Sequence, residues 1–239
     1  SLRLAAREPR GRNIADYPLL SCLLHELFPT NKSALAAVET ALLDALTRRL
    51  RIPLWQFFGN KPAGLSTDIT IVIAGLEETK QAALKFYKRG FRTFKVKIGR
   101  DLDLDLKRVL AVKKAAPRCG IYLDANQGYS SRETLELVKE LKTRGVVPAL
   151  LEQPVPREDW EGLKRVTRLA GVPVCADESV RSIPECLRAI REKAAHVINI
   201  KIMKSGLIQG REIAMLARAA GMQLMIGGDR KGTRLNSSH

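Results

Sequence analysis

The sequence predicts an α/β fold in which short parallel strands alternate with helices. The stretch 91–99 reads as a strand, because Phe94, Val96 and Ile98 alternate with Lys95 and Lys97. Beyond it, a helix-like segment and a short apolar run with a polar residue at its end recur about every 24 to 28 residues, the length of one βα unit. This period implies parallel strands joined by right-handed crossovers, as in an α/β barrel or an open α/β sheet.

The segment before the first strand is predicted to be helical. Residues 17–28 contain a short apolar helix, and a clearer helix starts at Ser33, which is its predicted cap. Pro53 lies just beyond its end, and the Gly- and Pro-rich residues 59–66 form a linker.

Seven strands and six helices then alternate. The first strand is rich in Ile, Val and Thr, Pro117 stops the second helix, and Ser131 is the predicted cap of the third. The predicted strands are residues 68–74, 94–98, 121–125, 149–153, 172–176, 196–202 and 223–226, and the predicted helices are residues 77–89, 104–116, 131–144, 160–170, 184–193 and 207–220. Residues 229–239 have no periodicity and are predicted to be a tail unrelated to the fold.

The composition is typical of a folded protein with free thiols. With 239 residues, 45% of them hydrophobic, the chain holds one large domain, or one domain plus a piece of another. The four cysteines form no CxxC pair and have no histidine partners at zinc spacing, which predicts free thiols and a cytoplasmic location. No apolar run approaches the roughly 20 residues of a membrane span.

The formal net charge is +16, but the basic residues are spread along the predicted helices. Aromatic residues make up only 5%, too few for base-stacking surfaces. Solvated helix faces therefore explain the charge better than attraction of small anions, and much better than nucleic-acid binding.

Three successive predicted strands end in carboxylates, at Asp124, Glu152 and Asp177. The carboxyl ends of neighbouring parallel strands meet, so three unpaired carboxylates would repel one another and lose hydration there. A divalent cation resolves this, and Mg²⁺ keeps positions for water and substrate oxygens. One such carboxylate is more often a helix cap, but three in succession favour a metal site.

Two lysines complete the predicted site. Lys97 is on the second strand and Lys201 on the sixth, which are opposite each other in an eight-stranded barrel. One amine could remove a proton from carbon and the other return it on the opposite face. Asn126, Glu178 and Asn199 are candidates for orienting these groups, with turn and capping roles equally open. Lys204 is expected at the surface.

The chain resembles the enolase superfamily, muconate-lactonizing enzyme subgroup, in five short motifs that occur in order. Its longer runs at residues 124–128, 152–156 and 199–206 are most similar to dipeptide epimerases of the L-Ala-D/L-Glu type, and the resemblance covers roughly residues 34–228. The five motifs are Lys95-Val96-Lys97, Asp124-Ala125-Asn126, Glu152-Gln153-Pro154, Asp177-Glu178-Ser179 and Asn199-Ile200-Lys201.

The resemblance implies a fold and a reaction. Residues 61–228 would form an incomplete (β/α) TIM-type barrel without its eighth strand, and residues 1–60 the helical remainder of an α+β capping domain. The activity would be that of a racemase or epimerase that uses Mg²⁺ to stabilise the enolate formed when the proton α to a carboxylate is removed. The acid/base residues would be Lys97 and Lys201, with Lys95 assisting, and the metal ligands would be Asp124, Glu152 and Asp177.

The resemblance also sets the expected partners. The substrate would be a small-molecule carboxylate, with a dipeptide favoured, and no nucleic acid or membrane would be bound; a homo-oligomer is an open option. Muconate cycloisomerase, o-succinylbenzoate synthase and N-acylamino acid racemase share the metal site and the lysines and stay open as alternatives. A non-catalytic barrel that binds anions is the alternative outside this class.

The sequence departs from the family pattern at both ends. The opening strands of the cap and the eighth strand are not found, so we expect a chain truncated at both ends that is by itself weak or inactive.

Overall fold

Seven strands form one parallel sheet in the computed structural model, which describes residues 11–59 and 64–228. Every strand pairs with the next along the chain, so each connection crosses over through a helix. This confirms the partial (β/α) barrel. The strands are β1 (Ile69–Ile71), β2 (Thr93–Lys97), β3 (Gly120–Asp124), β4 (Leu150–Glu152), β5 (Val174–Ala176), β6 (Val197–Ile200) and β7 (Gln223–Ile226).

Nine α-helices and one 3₁₀ turn, Ile14–Asp16, accompany the sheet within the described ranges. The helices are α1 (Tyr17–Leu27), α2 (Lys32–Arg49), α3 (Leu54–Phe57), α4 (Leu76–Lys88), α5 (Leu102–Ala115), α6 (Ser131–Thr143), α7 (Trp160–Leu169), α8 (Ile183–Arg191) and α9 (Ile202–Ala219). The predicted linker falls partly on residues 60–63 and the predicted tail on residues 229–239, which lie outside the described ranges.

Both predicted cap residues were wrong. Asn31 caps α2, with its side chain accepting a hydrogen bond from the amide of Ala34, and Ser130 caps α6 through the amide of Glu133. A cap must stand just before the first helical turn, whereas Ser33 and Ser131 already lie inside their helices.

The strands bury both of their faces. One set of strand residues packs against the surrounding helices in the large core, with Phe94, Leu123 and Ile198 completely buried. The alternating set faces the other way and forms a small separate cluster of Leu150, Cys175 and Val197, with Tyr122 and Met225 packed against it. This second cluster lies on the inner face of the barrel, and the polar residues of the site follow it along the same strands.

The start of α9 differs from the prediction. The strand was expected to reach residue 202 and the helix to start at 207, but β6 ends at Ile200 and α9 begins at Ile202. Gly206 interrupts the helix with φ 78° and ψ 178°, so a first short turn precedes the long helical segment. Helix α2 packs against α9 and thereby joins the N-terminal helices to the barrel.

Within residues 11–59 and 64–228, no helix combines the length and the apolar character that a bilayer crossing requires.

Candidate active site

The ends of β2, β3 and β4 bring three of the predicted residues into line. Lys97 pairs with Asp124 in the β2–β3 register, and Asp124 pairs with Glu152 in the β3–β4 register. Residues paired across parallel strands point to the same face of the sheet, here the inner one. Asp177 follows β5 directly, two residues beyond Cys175 of the inner apolar cluster, so it also faces inwards.

Two lysines bind the carboxylates of β3 and β4. Lys95 Nζ lies 2.6 Å from Glu152 Oε2 and 3.6 Å from Asp124 Oδ2. Lys97 Nζ lies 2.6 Å from the same Asp124 Oδ2 and donates a hydrogen bond of 2.5 Å to Asn126 Oδ1. The side chain of Lys95 is 10% exposed, against 28% for Lys97. Lys95 is therefore enclosed among the carboxylates, whereas Lys97 reaches open space.

Asp177 is held by two further lysines. Lys201 forms an ion pair with Asp177 Oδ2, and Lys204 Nζ lies 2.9 Å from Asp177 Oδ1. Lys204 also donates to the backbone carbonyls of Asp177 at 2.6 Å and Asn199 at 2.7 Å. The expectation that Lys204 is a surface residue was wrong, because the chain between Lys201 and Lys204 turns at once into α9 and directs this side chain back to the strand ends.

The three residues predicted to orient the site lie within it. Asn199 Nδ2 donates to Glu152 Oε1 at 2.8 Å, and Asn126 Nδ2 donates to Glu178 Oε1 at 3.1 Å. Asn126 thus connects Lys97 with Glu178, across the ends of β2, β3 and β5. Asn126 has φ 42°, a left-handed conformation that asparagine tolerates better than most residues.

Gln153 is a part of the site that the sequence analysis did not single out, although it stands within the Glu-Gln-Pro motif. Its buried Oε1 accepts hydrogen bonds from the amides of Asp177 at 2.9 Å and Ser179 at 3.1 Å, and its Nε2 donates to Ser179 Oγ at 2.8 Å. With φ 34°, Gln153 adopts a left-handed conformation that a glutamine rarely takes. The amide side chain therefore ties the β4 end to the β5 end, and an amide next to a predicted ligand was the available signal.

Burial and like charges shift the pKa values of the acids in different directions. Burial, reinforced by Asp124, raises the pKa of Glu152 to about 7 although Lys95 opposes the shift. Burial, reinforced by Asp177, also raises the pKa of Glu178. Burial acts to raise the pKa of Asp177 too, but Lys204 and Lys201 outweigh it and lower that pKa.

The same carboxylates shift the pKa values of two lysines. Burial acts to lower the pKa of Lys95, but the carboxylates of Glu152 and Asp124 outweigh it, so this pKa is raised. Burial likewise acts to lower the pKa of Lys201, and Asp177 reverses the effect. Within residues 11–59 and 64–228, Asp177 thus has two ammonium partners and the fully buried Glu152 has one, which leaves Glu152 less compensated than Asp177.

In this structure the carboxylates contact lysine ammonium groups and are not arranged as the ligands of one metal ion. Across residues 11–59 and 64–228, no three Asp, Glu, His or Cys side chains are grouped as ligands of a single ion. The structure therefore brings Asp124, Glu152 and Asp177 to one end of the barrel, where each contacts at least one of Lys95, Lys97, Lys201 and Lys204. Asp68, half-buried just before β1, also faces Lys95 and Lys97, and burial raises its pKa.

Comparison with known proteins gives consistent matches. A hydrophobic dipeptide epimerase of Citrifermentans bemidjiense is 46% identical over 235 residues, which cover 95% of this chain and 64% of that protein. A mandelate racemase/muconate lactonizing enzyme of Roseiflexus sp. superimposes with a TM-score of 0.90 at 43% identity, covering 95% of this chain and 66% of that one. The dipeptide epimerase of Enterococcus faecalis, solved with Mg and the dipeptide L-Leu-L-Tyr, has a TM-score of 0.86 at 31% identity, covering 91% and 61%.

The chain therefore spans less than two thirds of the length of these relatives. The model of the enolase C-terminal domain-like family matches residues 78–236, which include the seven site residues Lys95, Lys97, Asp124, Glu152, Asp177, Lys201 and Lys204. On this match, together with the parallel barrel and the order of its charged strand ends, the chain belongs to the enolase C-terminal domain-like family.

Proposed function

We propose that this chain carries the catalytic barrel of a Mg²⁺-dependent epimerase that acts on dipeptides. One observation carries the proposal. Lys97 at the end of β2 and Lys201 after β6 each bind a different carboxylate, Asp124 and Asp177, while Glu152 lies on β4, between β3 and β5. Two amines on separate strands, with acids between them, suit proton removal on one face of a carbon and proton return on the other.

The donor set fits Mg²⁺. The oxygens of Asp124, Glu152 and Asp177 are the hard ligands that this ion prefers, and Glu152 is buried with Lys95 as its one ammonium neighbour among the described residues. When bound, Mg²⁺ would supply positive charge that stabilises the enolate of a substrate carboxylate. Such binding would require the lysine ammonium groups to withdraw from the carboxylate oxygens they contact. The relatives solved with Mg and a dipeptide support this assignment.

The protein's own groups would move the protons. One of Lys97 and Lys201, as a neutral amine, accepts the α-proton at Nζ, and the other, as an ammonium, donates a proton from the opposite face. The number of protons on the pair is unchanged, so the step balances and the α-carbon is inverted. Lys95 has a different role in this proposal. It is more enclosed than Lys97 and Lys201, whose side chains are 28% and 23% exposed, so it acts as a fixed cation beside Glu152.

The experiment is isotope exchange in D₂O. The 239-residue chain is incubated with Mg²⁺ and a panel of dipeptides, N-succinyl amino acids and muconate, and loss of the α-proton signal is followed by NMR over days so that weak activity is detected. Exchange is expected with dipeptides, together with inversion of the α-carbon. Inversion should disappear in Lys97→Ala, which keeps only one of the two bases, whereas Lys80→Ala, which removes an exposed lysine of α4, should behave like the wild type. Inversion that persists in Lys97→Ala, or Mg²⁺-independent exchange, would refute the proposal.

Metal binding is tested separately by thermal unfolding. Mg²⁺ should raise the unfolding temperature of the wild type, because a ligand that binds only the folded state stabilises it. The shift should be lost in Asp124→Asn and kept in Asp44→Asn, which changes an exposed acid of α2. Equal shifts in all three proteins would exclude Asp124 as a ligand.

We also propose a cytoplasmic location. All four cysteines are free thiols, which is the usual state in a reducing compartment.

A further inference from the structure

The buried side chain of Glu39 connects helix α2 to the beginning of α9. Glu39 is 2% exposed and lies on α2, outside the candidate active site. Its Oε2 accepts hydrogen bonds from the amides of Leu207 and of Ile208, the latter at 3.1 Å. Its Oε1 accepts a hydrogen bond of 2.5 Å from the hydroxyl of Ser21 on α1. A carboxylate from the N-terminal helices is thus bound to the backbone of the barrel.

The break at Gly206 explains why α9 needs this carboxylate. Because Gly206 is not helical, Leu207 and Ile208 begin a new helical segment, and the first amides of a helix have no acceptors within it. Glu39 supplies an acceptor with negative charge at the end of the helix dipole that favours it. A Cβ at Gly206 would lie 2.5 Å from Glu39 Oε2, so glycine is also what allows the carboxylate to approach.

The segment that Glu39 binds leads directly from the candidate acid/base lysine. Lys201 precedes α9, and the amide of Lys204 donates to the carbonyl of Lys201 at 2.9 Å, which closes the first turn. At one end the segment 201–208 is held to Asp177 through Lys201 and Lys204, and at the other end to Glu39. The position of Lys201 therefore depends on two anchors, of which only Asp177 belongs to the site.

We propose that Glu39 is a positioning residue for Lys201. Without it, the amides of Leu207 and Ile208 lose their acceptor, the turn 202–206 gains freedom, and Lys201 no longer holds one place opposite Lys97. The expected effect on kcat rests on the proposed function, whereas the expected effect on the position of Lys201 does not. It assigns to the N-terminal helices a part in setting the geometry of the proton-transfer pair.

The experiment compares Glu39→Gln and Glu39→Ala with Asp44→Ala, which removes an exposed acid from the same helix. Hydrogen exchange of the amides in residues 202–210 is measured first. We expect Glu39→Ala to accelerate exchange at Leu207 and Ile208 by about 10-fold or more, since each amide loses a bond to a charged acceptor. Glu39→Gln keeps the length and one acceptor oxygen and should recover part of the protection. It also serves as the test variant if Glu39→Ala does not fold.

Two further readouts separate positioning from mere stability. The lysines are labelled by reductive ¹³C-methylation, and the signal of Lys201, identified by its loss in Lys201→Arg, should shift in Glu39→Ala but not in Asp44→Ala. The rate constant kcat for dipeptide exchange should fall with KM nearly unchanged, and Glu39→Gln should restore part of it. An unchanged Lys201 signal, or unchanged protection of residues 202–210, would overturn the inference. If the wild type exchanges no dipeptide, that result bears on the proposed function alone, while the Lys201 signal and the protection of residues 202–210 still decide the role of Glu39.

Discussion

Asp105 is predicted to be the most sensitive acid outside the candidate site. It is fully buried on α5, and its oxygens accept hydrogen bonds from the amides of Gly99 at 2.8 Å and Arg100 at 3.2 Å and from the hydroxyl of Tyr129 at 2.6 Å. It also pairs at 2.6 Å with Arg108, which is 7% exposed and donates to the carbonyl of Ala74. This network fixes the loop that begins directly after Lys97 and Ile98.

Asp105→Asn removes the charge while keeping the shape, and it leaves the Arg108 guanidinium buried without a counter-charge. Breaking a buried ion pair from one side costs about 3 to 5 kcal/mol of unfolding free energy. For a chain of this size, that corresponds to a fall in unfolding temperature of about 10 °C. Asp103→Asn, an exposed acid in the first turn of the same helix, should change the stability by less than about 0.5 kcal/mol.

The assay is urea unfolding followed by circular dichroism for the wild type, both Asn variants and the double variant Asp105→Asn/Arg108→Met. Because the double variant removes the uncompensated guanidinium and keeps an amide oxygen as acceptor for the amides of Gly99 and Arg100, it should be more stable than Asp105→Asn. The reasoning is refuted if Asp105→Asn loses less than about 1 kcal/mol, or if the double variant is the less stable of the two.

Three further predictions concern other parts of the fold. Gly99→Ala should destabilise the protein by about 2 kcal/mol more than Gly90→Ala. Both glycines have positive φ, but of the two only Gly99 would bring a Cβ against a backbone atom, the carbonyl oxygen of Ala125 at 2.4 Å. Equal losses of unfolding free energy in urea would contradict this close contact. Ellman's reagent should modify one thiol per folded chain, that of the exposed Cys22, because the other three thiols are buried and burial raises their pKa. After denaturation all four thiols should react. Fast reaction of a second thiol in the folded chain would contradict the prediction. Burial and then Lys32 lower the pKa of His25, so the unfolded chain binds this proton more readily, and His25 contributes a loss of stability as the pH drops from about 7 to 5. The stability of the wild type relative to His25→Gln should therefore decrease over this range, and equal slopes of the urea midpoints of the two proteins would refute the prediction.

The order of the fold and the core of the site were predictable because both repeat along the chain. All seven predicted strands occur, since each apolar run is short, bounded by turn residues and spaced by one βα unit. Charged residues at the ends of successive strands are brought together by any parallel arrangement, so Lys97, Asp124, Glu152 and Asp177 could be grouped without coordinates. The proposed domain division and the roles of these residues stay predictions.

Other features were not predictable because they depend on where a side chain reaches. Lys204 was placed at the surface from its position beyond a strand, yet a tight turn into α9 directs its ammonium group to Asp177. In the sequence, Gln153 is merely the neighbour of a predicted ligand, and only the folded structure shows that its side chain accepts hydrogen bonds from the amides of Asp177 and Ser179 after β5. The caps of α2 and α6 were missed because adjacent polar residues compete for one position, and backbone angles decide between them.

By itself, the sequence determined the succession of strands and helices, the alternation that buries one strand face under helices, and the ladder of charged residues at the strand ends. These features follow from local sequence patterns, so they would be the same in any arrangement of parallel strands. The tertiary structure decided which lysine binds which carboxylate, how much of each charge is balanced, and that Glu39, far away in the chain, holds the start of the helix behind Lys201. Such contacts join residues whose separation in the sequence follows no repeat. Their strength depends on burial and distance, which are defined only once the chain has folded.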